Sequence, residues 1–68
     1  MKKLRVGIAG YGVVGKRRRE FIDKNINLKT VAVSDIIFKK DGKFPDGVLF
    51  FNNFKKLLSN ELDILFVC

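Results

Sequence analysis

Three glycines, Gly10, Gly12 and Gly15, stand at Gly-x-Gly-x-x-Gly spacing directly after the apolar run Leu4 to Ala9. Glycines so placed remove side chains where a chain turns from strand into helix, and they uncover main-chain N–H groups at the helix mouth. Such amides attract anions, and a diphosphate is the group they suit best. Each glycine carries its own expectation. Gly10 makes the tight turn out of the strand, Gly12 lets a diphosphate approach the backbone, and Gly15 lets the helix lie close against the sheet. The amides of Tyr11, Gly12, Val13 and Val14 are expected to face the phosphates. Asp35 stands twenty residues past Gly15, at the end of a second apolar run. A carboxylate there accepts hydrogen bonds from the adenosine ribose and repels a 2′-phosphate, which favours NAD over NADP. Its bland alternative is a turn cap after the strand.

The elements that position these residues follow from periodicity. Leu4 to Ala9 is expected as the first strand, with Val6 and Ile8 on one face and the small Gly7 and Ala9 on the other. A helix is expected over residues 13–26, with Val14, Phe21, Ile22 and Ile26 forming its apolar arc and Lys16, Arg19, Glu20 and Asp23 pointing away. Arg18 projects into that arc, either steering phosphate, pairing with an acidic partner outside these residues, or snorkelling. Asn25 and Asn27 suit the helix end because Asn tolerates left-handed backbone. Residues 28–34, rich in β-branched side chains, form the second strand. Two Asp/Gly turn signals and Pro45 between residues 39 and 47 predict a loop in place of a second crossover helix. Residues 48–51 give a short third strand. Asn52 or Asn53 caps a short helix over 54–59. Residues 62–68 are the fourth strand.

The fold class expected is α/β, a partial Rossmann unit with three layers, a mostly parallel sheet and strand order 3-2-1-4. The doubly wound domain is incomplete at 68 residues. Residues 1–68 are read as its N-terminal part, with the C-terminal half and a substrate domain lying outside. The near-apolar run Leu62 to Cys68 needs cover on both faces, from the rest of the chain or a homo-oligomeric partner. Cys68 and the phenylalanines Phe50, Phe51 and Phe54 are expected as buried core.

Composition narrows the function classes. No run approaches the ~18–20 apolar residues that span a bilayer, so no membrane partner is expected. One cysteine and no histidine leave no internal disulfide and no Cys–His or zinc chemistry, and they fit a reducing cytoplasm. The net charge of +7 is concentrated early: residues 1–24 hold eight Lys/Arg against Glu20 and Asp23. The cluster Lys16-Arg17-Arg18-Arg19 could mark a nucleic-acid binder, but no aromatic interleaving accompanies it. A solvated helix face is the preferred reading, with no nucleic-acid partner.

The run Arg5 to Arg17, then Leu28 to Asp35, then Phe54-Lys55-Lys56-Leu57-Leu58 followed by Asp63 to Cys68, resembles the start of the glucose–fructose oxidoreductase / inositol dehydrogenase / rhizopine-catabolism (Gfo/Idh/MocA) family. The resemblance departs at residues 36–47, where that family carries its second helix. It implies hydride exchange between NAD(P) and a sugar, polyol or nucleotide-sugar hydroxyl. The family's catalytic lysine and histidine lie in segments that residues 1–68 do not contain, so no catalytic residue and no metal ligand is assigned. Phosphorylating aldehyde dehydrogenases share a Gly-Tyr-Gly turn and stay open as relatives. A non-catalytic nucleotide-binding regulatory or subunit-interaction module is the alternative function.

Overall fold

A computed structural model describes residues 2–68. Five strands and two helices run in the order β1 (Leu4–Ala9), α1 (Val13–Asp23), β2 (Leu28–Ser34), β3 (Gly42–Lys43), β4 (Leu49–Phe51), α2 (Phe54–Leu58) and β5 (Ile64–Val67). They form one mixed sheet of order β3-β4-β2-β1-β5. The pairs β1–β2, β1–β5 and β2–β4 are parallel, and β3–β4 is antiparallel. The order differs from the four-stranded 3-2-1-4 arrangement expected, because the loop after β2 contributes β3 as an added edge strand.

Side-chain alternation along β1 sorts the two helices. Val6 and Ile8 are fully buried together with Val33 of β2 and Ile22 of α1. The opposite face of β1 presents Gly7, and a Cβ there would meet a Leu62 methyl at 2.6 Å and a Leu57 methyl at 3.3 Å. Leu57 of α2 is fully buried. One helix therefore covers each face, and the lack of a side chain at Gly7 admits the second one closely. The β1–β2 register slips between Val6 and Gly7, where Thr30 and Ala32 are the respective partners and Val31 is the extra residue.

α1 corrects two expectations. It ends at Asp23 rather than Ile26. Asn25 draws the chain into a turn by accepting from the Asn27 amide at 2.8 Å, and no non-glycine residue among those described takes positive φ. The helix also buries a different stripe. Gly15 and Ile22 are buried and Arg19 is half-buried, at i, i+4 and i+7 spacing. Val14, Phe21 and Ile26, expected in the apolar arc, are 57%, 73% and 82% exposed. The reason is contact at Gly15: a helix that touches β1 through that residue must turn Val14 and Phe21 outward. Arg18 stays at the surface with its guanidinium 6.0 Å from the Phe66 ring centroid.

No second crossover helix forms between β2 and β4. Phe38, Phe44 and Phe50 pack with Tyr11 in its place, with Phe38–Phe50 and Phe44–Phe50 centroids 5.0 and 4.8 Å apart. A Cβ on Gly42 would stand 2.5 Å from the Phe50 ring, so glycine is what lets β3 cross over that ring. Gly47, at φ +94°, completes the β3–β4 turn. Arg19 pins this hairpin to α1: it donates to Tyr11 Oη at 3.0 Å and to Asp23 at 3.2 Å, and it also binds Asp46.

The hairpin carboxylates supply a pH dependence. The Val48 amide, followed by Arg19, holds the Asp46 carboxyl below the ordinary aspartate value. Lys56 and the Asn52 amide do the same for Asp41. A carboxyl with a lowered folded pKa stabilises fully above its unfolded pKa and loses that contribution as pH falls through the folded value. The hairpin is therefore expected to loosen as pH drops below about 4. The Val48 amide resonance followed through acid should show a midpoint below the ordinary aspartate one, and Asp46→Asn should remove that titration. An ordinary midpoint would exclude the effect.

α2 begins at Asn53, whose Oδ1 accepts from the Lys55 amide at 2.7 Å. β5 is shorter than expected and pairs only with β1, leaving Val67 80% exposed. Cys68 is exposed rather than buried, and Phe54 is 56% exposed. Both sit where the sheet's carboxyl edge meets solvent. Among the described residues no helix is long and apolar enough to cross a membrane.

Candidate dinucleotide site at the glycine turn

Gly10 leaves β1 at φ +96°, in left-handed space that a side chain would strain. A Cβ there would also lie 2.5 Å from the Cys68 carbonyl oxygen. The turn is tied to the neighbouring strand, since the Gly10 and Tyr11 amides both donate to the Ser34 carbonyl, at 2.8 and 3.1 Å. The Tyr11 amide is thus not open to a ligand, contrary to expectation. Its side chain also turns away, buried against Phe38 and Phe44.

The helix mouth lies one residue on. Gly12 is the N-cap of α1 and makes no side-chain cap hydrogen bond. The Val13 and Val14 amides of the first turn therefore keep their donors, since a helix cannot satisfy them internally. A Cβ placed on Gly12 would meet no atom within 4 Å. A Cβ on Gly15 would overlap the Gly10 carbonyl oxygen and touch Ile8 at 3.5 Å. The glycines thus differ in kind: Gly10 and Gly15 are required by the protein's own backbone, whereas no described atom crowds a Cβ at Gly12. That space and those free donors suit a diphosphate.

Asp35 follows the same Ser34 carbonyl, and its amide donates to Phe51 O at 3.0 Å. Its Oδ1 accepts from the Ile37 amide at 3.0 Å, the turn-capping role weighed for it. No hydrogen bond engages Oδ2 among the described residues. Asp35 and Gly10 line one cleft of about 480 Å³ at the carboxyl end of the sheet, together with Ile36, Asn52, Phe54 and Leu58. The structure thus brings Gly10 and Asp35 together in the cleft. Gly12, Val13 and Val14 stand at the helix mouth outside it, and Gly15 lies beneath, packed on β1. The apolar lining from α2 escaped sequence reasoning. Beside it Ile36, next to Asp35 in the chain, is 92% exposed. These groups can bind and orient, and none of them forms an acid–base or nucleophile–base pair. The chain matches no protein-family model, no curated protein and no solved structure.

Proposed function

We propose that residues 1–68 are the cofactor-holding portion of an NAD(P)-dependent oxidoreductase of the Gfo/Idh/MocA type, built on a partial Rossmann unit. One observation carries the reading: no described atom lies within 4 Å of a Cβ placed on Gly12, at a helix mouth without a side-chain cap and near a cleft that holds a carboxylate. Gly12, Val13 and Val14 would hold the diphosphate through main-chain N–H groups. Asp35 would accept from the adenosine ribose through Oδ2, and Gly10 and Gly15 would keep the turn in shape. When bound, the nicotinamide supplies a hydride acceptor or donor for a sugar, polyol or nucleotide-sugar hydroxyl. In this reading the catalytic residues and a substrate domain would lie in segments that residues 1–68 do not contain, and either those segments or a homo-oligomeric partner would cover β5. The single thiol suits a cytoplasmic protein.

NAD titrated into the intact chain by calorimetry tests this reading, with NADP as the comparison. NAD is expected to bind more tightly, because a 2′-phosphate would face the Asp35 carboxylate. Asp35→Ala should then narrow the NAD/NADP ratio by about tenfold, through loss of a charge-assisted hydrogen bond and of the repulsion. A ratio untouched by that substitution would leave Asp35 as a turn cap alone.

A further inference from the structure

Tyr11 supplies the one side chain between Gly10 and Gly12, and it is held from outside the glycine turn. Gly10, at φ +96°, and the extended Gly12 have no side chains to restrict the backbone on either side of it. The Gly10 and Tyr11 amides share a single acceptor, the Ser34 carbonyl. The tyrosine side chain is the other anchor. Its ring packs against Phe38 and Phe44 at centroid distances of 6.2 and 6.0 Å, and its Oη accepts from Arg19 at 3.0 Å.

Arg19 joins that anchor to the β3–β4 hairpin. It engages Tyr11, Asp23 and Asp46 at once, each through a different nitrogen. Asp46 also accepts from the Val48 amide at 3.1 Å, which fixes it to the bend of the hairpin. The Arg19 side chain is 16% exposed and that of Asp46 is 53% exposed, so the contact can open at the surface without disturbing the core. A cleft of about 460 Å³ borders Tyr11, Phe38, Phe44 and Pro45, which leaves the ring open space on one side. Arg19 therefore decides whether the ring stays where it is.

We propose that the β3–β4 hairpin regulates the dinucleotide site through this contact. With Asp46 latched to Arg19, Tyr11 is held and the Val13 and Val14 amides keep their aim. With the latch open, the glycine-flanked turn loosens and affinity falls. The proposal takes its ligand from the dinucleotide reading and rests on it. Arg19 and Asp46 are positioning residues that touch no cofactor. Coupling of this kind is reciprocal, so bound dinucleotide tightens the hairpin by the same factor that the closed hairpin tightens binding.

Amide hydrogen exchange and NAD calorimetry on the intact chain, parent against Asp46→Asn, test the assignment. Without ligand, the variant is expected to exchange its Gly10 and Tyr11 amides about fivefold faster, with Ile8 and Val33 in the sheet unchanged. NAD should bind it about fivefold more weakly, the upper range for a partly exposed ion pair. Tyr11→Phe removes only the hydroxyl and should weaken NAD as much. The double variant should lose no more than either single one, because both act through Arg19. Asp46→Glu, which keeps the charge, should recover most of the loss. Unchanged exchange at Gly10 and Tyr11, acceleration spread equally over the sheet, or additive losses in the double variant would each overturn the proposal. A parent that binds NAD with an affinity Asp46→Asn leaves untouched overturns the regulation and spares the dinucleotide reading. A parent that binds no NAD overturns that reading, and the regulation with it.

Discussion

Gly12→Val is expected to abolish measurable NAD binding while leaving the protein folded. Its Cβ position is open, so a valine side chain would meet no protein atom there at Cβ. It would instead occupy the space in front of the Val13 and Val14 amides, where a diphosphate must sit to use them. Losing those charge-assisted hydrogen bonds should weaken binding by about a hundredfold or more. The structural cost is limited to replacing a glycine N-cap, about 1 kcal/mol. Calorimetric titration with NAD, beside a thermal melt of the same variant, checks both halves. Retained affinity in a folded Gly12→Val protein would place the cofactor elsewhere.

Gly15→Ala should do the reverse, destroying the fold through a single methyl group. The added carbon would overlap the Gly10 carbonyl oxygen, which belongs to backbone held by the bond from the Gly10 amide to Ser34. Neither side can move cheaply. α1 cannot retreat without uncovering Ile8 and Ile22, and the turn cannot shift without releasing Ser34. Overpacking of this kind costs about 3 kcal/mol or more. A domain of this size has roughly 3–10 kcal/mol of total stability, so most of the margin would go. Urea unfolding followed by circular dichroism is the measurement, and a midpoint equal to the parent's would show that α1 does not rest on the sheet at Gly15. The two variants together separate glycines kept for the ligand from glycines kept for the fold.

Local chemistry in the chain was sufficient to locate most of the elements. Alternating Val6 and Ile8 against Gly7 placed both faces of β1, and the pair Asn52-Asn53 marked the start of α2, with Asn53 the residue that caps it. The turn signals between residues 39 and 47 pointed to a loop rather than a helix there, because Gly, Pro and Asp act on their own backbone, though not to the short strand β3 within it. The spacing of Gly10, Gly12 and Gly15 likewise set where a turn and an open helix mouth could be.

Other features depended on partners distant in the chain. Hydrophobic periodicity put Phe21 and Val14 inside, but the close approach of Gly15 to β1 rotated α1 and brought Arg19 inward. The Tyr11 amide looked free until the Ser34 carbonyl, more than twenty residues away, took it. The loop that replaced a helix became an aromatic cap with its own edge strand because Phe38 and Phe44 pack on Tyr11 and Phe50 packs on both of them. Periodicity records what each residue prefers beside its neighbours in sequence. Which face a helix turns inward, and which donors stay free for a ligand, is decided by contacts that exist only once the strands are side by side.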